Sequence, residues 1–401
     1  MISVEEARGR ILAGLRATGA EIVPLADGWG RVTAGPVLAR LTQPPRDVSA
    51  MDGYAMRAAD AGLGAVLRLV GAAPAGHPWD GVLGTGEALR LFTGSIMPDG
   101  ADAIVIQEDA TRTGEAIAVN EAAVLGRHIR RAGQDFARGD VLLPAGKRLG
   151  ARDIGLAAAG NHPWLSVHRR PRIAILATGD EIAMPGEPIP PGGIVSSNSH
   201  ALAALVRAAG GDPVVLPVVA DDRAALMAVA DAVTGMDMLV TTGGASVGEH
   251  DLVQEALGAR GLQVDFWQIA MRPGKPLMFG QMGQVAMLGL PGNPVSSLVC
   301  AILFLLPAIQ VLSGLPPAPP ATVRARLGAE VPANDKRADH LRATLRVDAD
   351  GGLVATPFPR QDSAMLRVMA QADGLVLRAA FAAKAGVGEM VDVVRLEWLG
   401  I

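Results

Sequence analysis

Cysteine is almost absent: the 401-residue chain has one, Cys300. A single thiol excludes an internal disulfide and suits a reducing cytosol. Cys300 lies in an apolar helical run and reads as a small buried hydrophobe, not a reactive thiol. Aromatics make up only 3% of a chain that is 50% hydrophobic, so its cores must be aliphatic. Positive charge is not in excess; a net charge of −4 argues against a broad basic surface for nucleic acid. Long apolar runs are missing as well. Leu298–Leu312 is the longest, at about 15 residues against the ~20 that a bilayer requires, and Pro307 interrupts it. A helix buried against a sheet is expected there. Met1–Leu15 is charged throughout and has no apolar centre, so no secretory signal is expected, and the chain reads as cytoplasmic with no membrane contact. Ser-His-Asp and Cys-His signatures, zinc spacings, GxxxxGK[ST] and GxGxxG are all lacking, which turns the search away from protein nucleophiles and nucleotide loops of those kinds.

What the chain has instead is glycine and proline, 49 and 28 of them, implying many tight turns without low-complexity tracts. The most informative stretch is Met238–Asp251, MLVTTGGASVGEHD. Met238, Leu239 and Val240 have strand composition, and Thr241–Gly244 break the strand. Gly243 and Gly244 lack a Cβ, so the backbone can turn with φ > 0 and bring its N–H groups to a ligand. Ser246 adds a hydroxyl; Glu249 and Asp251 add carboxylates suited to a hard cation. The competing account is a plain strand-to-helix turn with Asp251 as N-cap. Two further exits of the same type, ATGDEI (177–182) and LGLPGNPVSS (288–297), each follow a strand-like run. Three such loops in one region favour a site. In open α/β sheets, ligands bind beyond the carboxyl ends of the strands, where these loops would sit.

Ser3 and Glu6 make an S-x-x-E capping box, and Val4, Ala7, Ile11, Leu12 and Leu15 then form an apolar stripe with no local partner. Thr42–Arg57, TQPPRDVSAMDGYAMR, is extended at Pro44-Pro45 and polar after it. Tyr54 reads as a packing anchor, a role that does not explain Asp52. Short strands between turns over 65–124 predict a small all-β module, whose most polar loop, 92–102, carries Thr93 and Ser95. Arg127, Arg130 and Arg131 form a basic edge, either solvated or facing a phosphate. From 172 to 314 strands (172–177, 213–219, 236–241, 262–269, 284–288) alternate with helices (199–209, 223–233, 252–260, 294–312). Alternation of this kind predicts a parallel sheet covered by helices on both faces. Asp221 and Asp222 precede one of those helices; one serves as N-cap and the other is left for a cation. Arg272 and Lys275 are the only cations in the loop 270–280, suited to hold an oxyanion. LPPAPP (315–320) is a stiff linker, and five strand-like runs after it predict a small barrel or sandwich.

Seven segments in order, SAMDGYAM (49–56), FTGSIMPDGADAIV (92–105), RRAGQDFARGDVLLPAG (130–146), ATGDEI (177–182), TTGGASVGEHD (241–251), MRPGKP (271–276) and GLPGNPVSS (289–297), carry a resemblance. The chain resembles, over essentially its whole length, the molybdopterin molybdenumtransferases of molybdenum-cofactor synthesis and the matching C-terminal domain of gephyrin. The resemblance implies an elongated, multidomain α/β-plus-β chain. Its parts would be a discontinuous linking α+β domain (1–47 and 127–168), an inserted β module (48–126), a parallel three-layer α/β molybdopterin-binding domain (169–314) and a C-terminal β-barrel (315–401). It implies insertion of molybdate into the dithiolene of adenylylated molybdopterin with release of AMP, dependence on Mg2+ or another divalent cation, and a homodimer with shared active sites. Transient contact with molybdoenzymes or the adenylyltransferase is also implied.

By the same resemblance, Asp52, Thr93, Glu181, Asp221 and Asp251 would be catalytic, with Glu181, Asp221 and Asp251 as cation ligands. Arg130, Gly243, Gly244, Ser246, Arg272, Lys275, Pro291, Pro294 and Ser363 would contact substrate. Gln268 stands where some members have lysine, and Arg272 replaces another lysine by a planar fork. Two other functions stay open: a gephyrin-like scaffold, and a molybdopterin adenylyltransferase, which would need only the α/β domain.

Overall fold

The computed structural model describes residues 1–220, 222–243 and 252–397. Ser3 caps helix α1 (Val4–Ala13) by accepting the Glu6 N–H at 3.1 Å, while the Glu6 carboxylate turns to Arg10 at 2.6 Å instead of closing the box. The stripe of Val4, Ala7, Ile11 and Leu15 is buried in one cluster with Leu305, Ile309 and Leu312. Each fully buried Val or Ile contributes about 1.5–3 kcal/mol. The stripe therefore finds its partner in its own chain and does not call for a second one.

Six strands form the central sheet: β1 (Arg172–Ala177), β2 (Asp212–Val215), β3 (Met238–Thr242), β4 (Leu262–Gln268), β5 (Pro276–Met282) and β6 (Val285–Leu290), in the order β2-β1-β3-β6-β5-β4. The first four of that order are parallel, as alternation predicts. β5 and β4 add to the edge through antiparallel pairings, with β5 running against all the others, which corrects the wholly parallel expectation. In sequence β5 is hidden in a loop because Pro276 opens it and Gly280 interrupts it. Gly280 is needed: a Cβ there would lie 2.5 Å from the Gln263 carbonyl oxygen. The two-residue period of the strands fixes the layers. Ile173, Ile175, Val240 and Leu288 face α1 and helix α3 (Asn198–Ala208); α2 is Ala151–Ala159 in the N-terminal region. Ala174, Leu176, Leu239 and Met287 face α4 (Arg223–Ala232) and α5 (Leu252–Gly258).

Behind the first face runs the Pro294–Leu312 helix, 19 residues long and apolar enough to cross a bilayer, with 83% of it buried inside the protein. It is thus longer than its apolar run suggests, and it is a core helix. Its turn at Ala301–Leu305 is π-helical, immediately before Pro307, whose missing N–H and bulky ring disfavour a regular turn.

Segments distant in sequence pair around this unit. Ala20–Pro24 is antiparallel to Trp164–His168, and Val37–Leu38 to Val141–Leu143. Between those segments, 53–119 forms a separate six-stranded sheet. Gly53 sits there because a Cβ would come within 2.3 Å of the Val105 oxygen. At the C-terminal end, Ala338–Val347 pairs with both Leu353–Pro357 and Gly374–Arg378, closing a five-stranded barrel and settling the barrel-or-sandwich alternative.

Candidate active site

β1, β3 and β6 are adjacent in the sheet, so their carboxyl ends open on the same edge. There Thr178, Glu181, Thr242, Gly243, Pro291, Gly292, Asn293 and Pro294 line a cleft of 730 Å³. Two tight positions shape it. Gly243 has φ +92°, and a Cβ on it would lie 2.6 Å from the Thr178 carbonyl oxygen. Gly292 packs against Gly243, with a built Cβ 3.6 Å from its Cα. Asn198, the first residue of α3, fastens the exits together: its Nδ2 donates to Thr242 Oγ1 and to the Gly292 oxygen, both at 2.7 Å. α3 and the Pro294–Leu312 helix both begin at the cleft. The positive ends of their dipoles favour an anionic ligand.

The barrel reaches the same place. Asn293 Nδ2 donates to Ser363 Oγ at 3.1 Å, and the Ser363 carbonyl accepts the Val295 N–H at 3.1 Å. Glu181, Gly243, Pro291 and Pro294 are thus gathered in one cleft, with Ser363 at its rim. Asn198 was missed in sequence; its signal is the polar run SSNSH before an apolar helix. Thr178 was missed too, and its buried hydroxyl has no hydrogen-bond partner among the described residues. Asp222 caps α4 by accepting the Ala225 N–H at 2.8 Å. Asp221, Gly244, Ser246 and Asp251 lie outside the described residues.

Asp52, Thr93 and Arg130 sit elsewhere. The Thr93 N–H and hydroxyl both donate to Asp52 Oδ1, at 2.7 and 3.0 Å. Those bonds, the backbone one first, hold the Asp52 carboxyl below its ordinary range. Gly94, Ile96 and Arg130 line a 650 Å³ concavity beside Pro44 and Pro45. This concavity and the cleft have no lining residue in common.

Arg272 is occupied. Its Nε and Nη2 grip Asp339 of the barrel at 2.8 and 2.7 Å, and Met271–Arg272 adds a short parallel strand to Ala338–Asp339. A guanidinium matched to a carboxylate in this way is anchored between domains. Lys275 makes no ion pair among the described residues, and its carbonyl accepts the Ile269 N–H at 3.0 Å.

Residues 2–160 match the model of the MoeA N-terminal region (domains I and II), 174–311 that of a probable molybdopterin-binding domain, and 324–396 that of the MoeA C-terminal region (domain IV). A molybdopterin molybdenumtransferase 2 of Mycobacterium tuberculosis is 36% identical over 388 residues, 94% of this chain and 95% of that protein. The chain belongs to the molybdopterin molybdenumtransferase family. A further member, from a Nostoc species, is 37% identical over 82% of this chain and 77% of its own length. A molybdopterin biosynthesis MoeA protein from Pyrococcus horikosii has the same fold, with a TM-score of 0.86 at 30% identity, covering 98% of this chain and 99% of its own. The match includes the N-terminal and C-terminal regions as well as the molybdopterin-binding domain. A free-standing adenylyltransferase would account for the α/β domain alone.

Proposed function

We propose that this enzyme inserts molybdate into the dithiolene of adenylylated molybdopterin and releases AMP. The observation that carries the reading is the cleft itself, where three adjacent βα exits and two helix N-termini meet in a volume suited to a phosphorylated heterocycle. Both substrates are oxyanions, so fixed N–H donors, Lys275 and Arg130 are the groups that would hold them. Glu181, with Asp221 and Asp251, would ligate a divalent cation. Glu181 lines the cleft, and the Gly179 N–H, two residues before it, donates to the Val219 carbonyl at 3.3 Å. Hard oxygen donors of this kind fit Mg2+. Such a cation, when bound, supplies charge neutralisation at the phosphoanhydride. The test is AMP release from adenylylated molybdopterin by the purified protein. Release that requires molybdate supports the reading; release indifferent to molybdate overturns it.

The same reading places the active sites between two copies of the chain, with Asp52, Thr93 and Arg130 of one facing the cleft of the other. It is supported by the separation of those three residues from the cleft within one chain. It gives the inserted module, 48–126, and the linking segments, 1–47 and 127–168, a common purpose: they carry the second half of the site out to a partner.

A further inference from the structure

A third concavity lies on the far side of the α/β unit. Trp29, Arg148, Arg170, Arg207 and Gly210 line a 350 Å³ cavity between the N-terminal region and the carboxyl end of α3. None of the three arginines makes an ion pair among the described residues. Arg148 donates only a long hydrogen bond, 3.5 Å, to the Ala209 carbonyl. Protein atoms desolvate its guanidinium and lower its pKa, and no carboxylate offsets that. The carbonyls at the end of a helix attract cations, which explains Arg148 and Arg207 in part. It explains neither Arg170 nor Trp29.

Trp29 is 71% exposed, a large apolar ring that folding leaves in water. It is also firmly held. Gly30 turns with φ +74°, its N–H donates to the Leu149 carbonyl at 2.8 Å, and the Leu149 N–H donates to the Arg31 carbonyl at 2.8 Å. A Cβ on Gly28 would lie 2.9 Å from Ile154 Cδ1, so the turn is packed down on α2. The indole is therefore presented by a fixed turn next to the backbone that carries Arg148. A rigid aromatic face beside convergent, unpaired guanidinium groups recognises a planar ring joined to a phosphate.

We propose that this cavity binds a phosphate monoester bearing a planar heteroaromatic ring, of the nucleoside monophosphate kind. The site is separate from the cleft and does not rest on the function proposed for it. α3 spans from one to the other, with Asn198 at the cleft and Arg207 at the cavity.

The probe is AMP, titrated into the full-length protein and read by tryptophan fluorescence, with inorganic phosphate and adenosine as the two half-ligands. Trp29→Phe identifies the part of the signal that belongs to this cavity. The expected result is a Trp29-dependent quench by AMP, with phosphate and adenosine each at least about tenfold weaker. Arg170→Ala and Arg207→Ala, both at the surface and checked for folding by circular dichroism, should each weaken AMP by about tenfold or more. Glu181→Ala, in the cleft, should leave this signal unchanged. The proposal is overturned by the absence of any Trp29-dependent change at millimolar AMP. It is equally overturned by equal binding of phosphate and AMP, or by unchanged affinity in both arginine variants.

Discussion

At Gly243 a single hydrogen in place of a side chain keeps the cleft open. The residue combines a left-handed backbone with a carbonyl 2.6 Å from where a Cβ would stand. Gly243→Ala should therefore cost about 1–3 kcal/mol of stability and lower kcat/KM. Gly292→Ala, whose Cβ would make an ordinary 3.6 Å contact, is the matched control and should melt close to the parent. Equal melting temperatures for the two variants would refute the argument. Asp52 makes a second residue-scale case. Thr93 lowers its pKa through two hydrogen bonds, so the carboxylate persists to more acid pH than an ordinary aspartate. Thr93→Ala keeps the backbone bond and removes the hydroxyl, so the Asp52 titration should move up but not fully to the usual range. Carboxyl NMR titration reads this directly, and an unmoved pKa would show that the hydroxyl contributes nothing.

Between elements, the barrel is joined to the α/β unit by the Met271–Arg272 strand and the Arg272–Asp339 pair. Arg272 is 46% exposed and Asp339 7%, so solvent weakens the pair and a double-mutant cycle should give a coupling of about 1 kcal/mol. A coupling near zero would return Arg272 to the sequence reading, in which its whole role is to hold an oxyanion. Next to it, burial pushes the His340 imidazole down to about 4, against opposing pulls from the Arg272 carbonyl, Asp339 and Glu5, with Arg8 adding to the depression. The unfolded chain then binds a proton that the folded one refuses. Stability from neutral His340 is complete above its unfolded value, near 6.5, and is lost as pH falls toward about 4. The loss is of order 3 kcal/mol. His340→Leu should flatten this slope in denaturant melts between those pH values; an unchanged slope would assign it to other groups.

These elements also show what a sequence can disclose. Strands β1, β3 and β6 were visible because each is an apolar run ended by glycine and polar residues, and the carboxyl-end rule then put their loops together. β5 was not, since Pro276 opens it and Gly280 answers to the Gln263 carbonyl of a neighbouring strand, not to its own pattern. Arg272 read as a free cation because Asp339, its partner, is 67 residues away. Asn198 was passed over because its hydrogen bonds are made to two other loops.

At the scale of the whole molecule, the described site residues fall into two groups: Glu181, Gly243, Pro291 and Pro294 line the cleft, and Arg130 lines a concavity that shares no residue with it. Either one group is unrelated to catalysis, or a second copy supplies it. The α1 stripe gives no help, because it is buried within its own chain. Complementation separates the cases. Asp52→Ala and Glu181→Ala, each inactive alone, are co-expressed so that mixed dimers form. If sites are shared, a mixed dimer has one site with both defects and one with neither. Random pairing then restores about a quarter of all sites. If each site is built within one chain, every site in the mixture keeps one defect, and activity stays absent although mass spectrometry shows mixed dimers. The second result would confine catalysis to the cleft and leave Asp52, Thr93 and Arg130 needing another role.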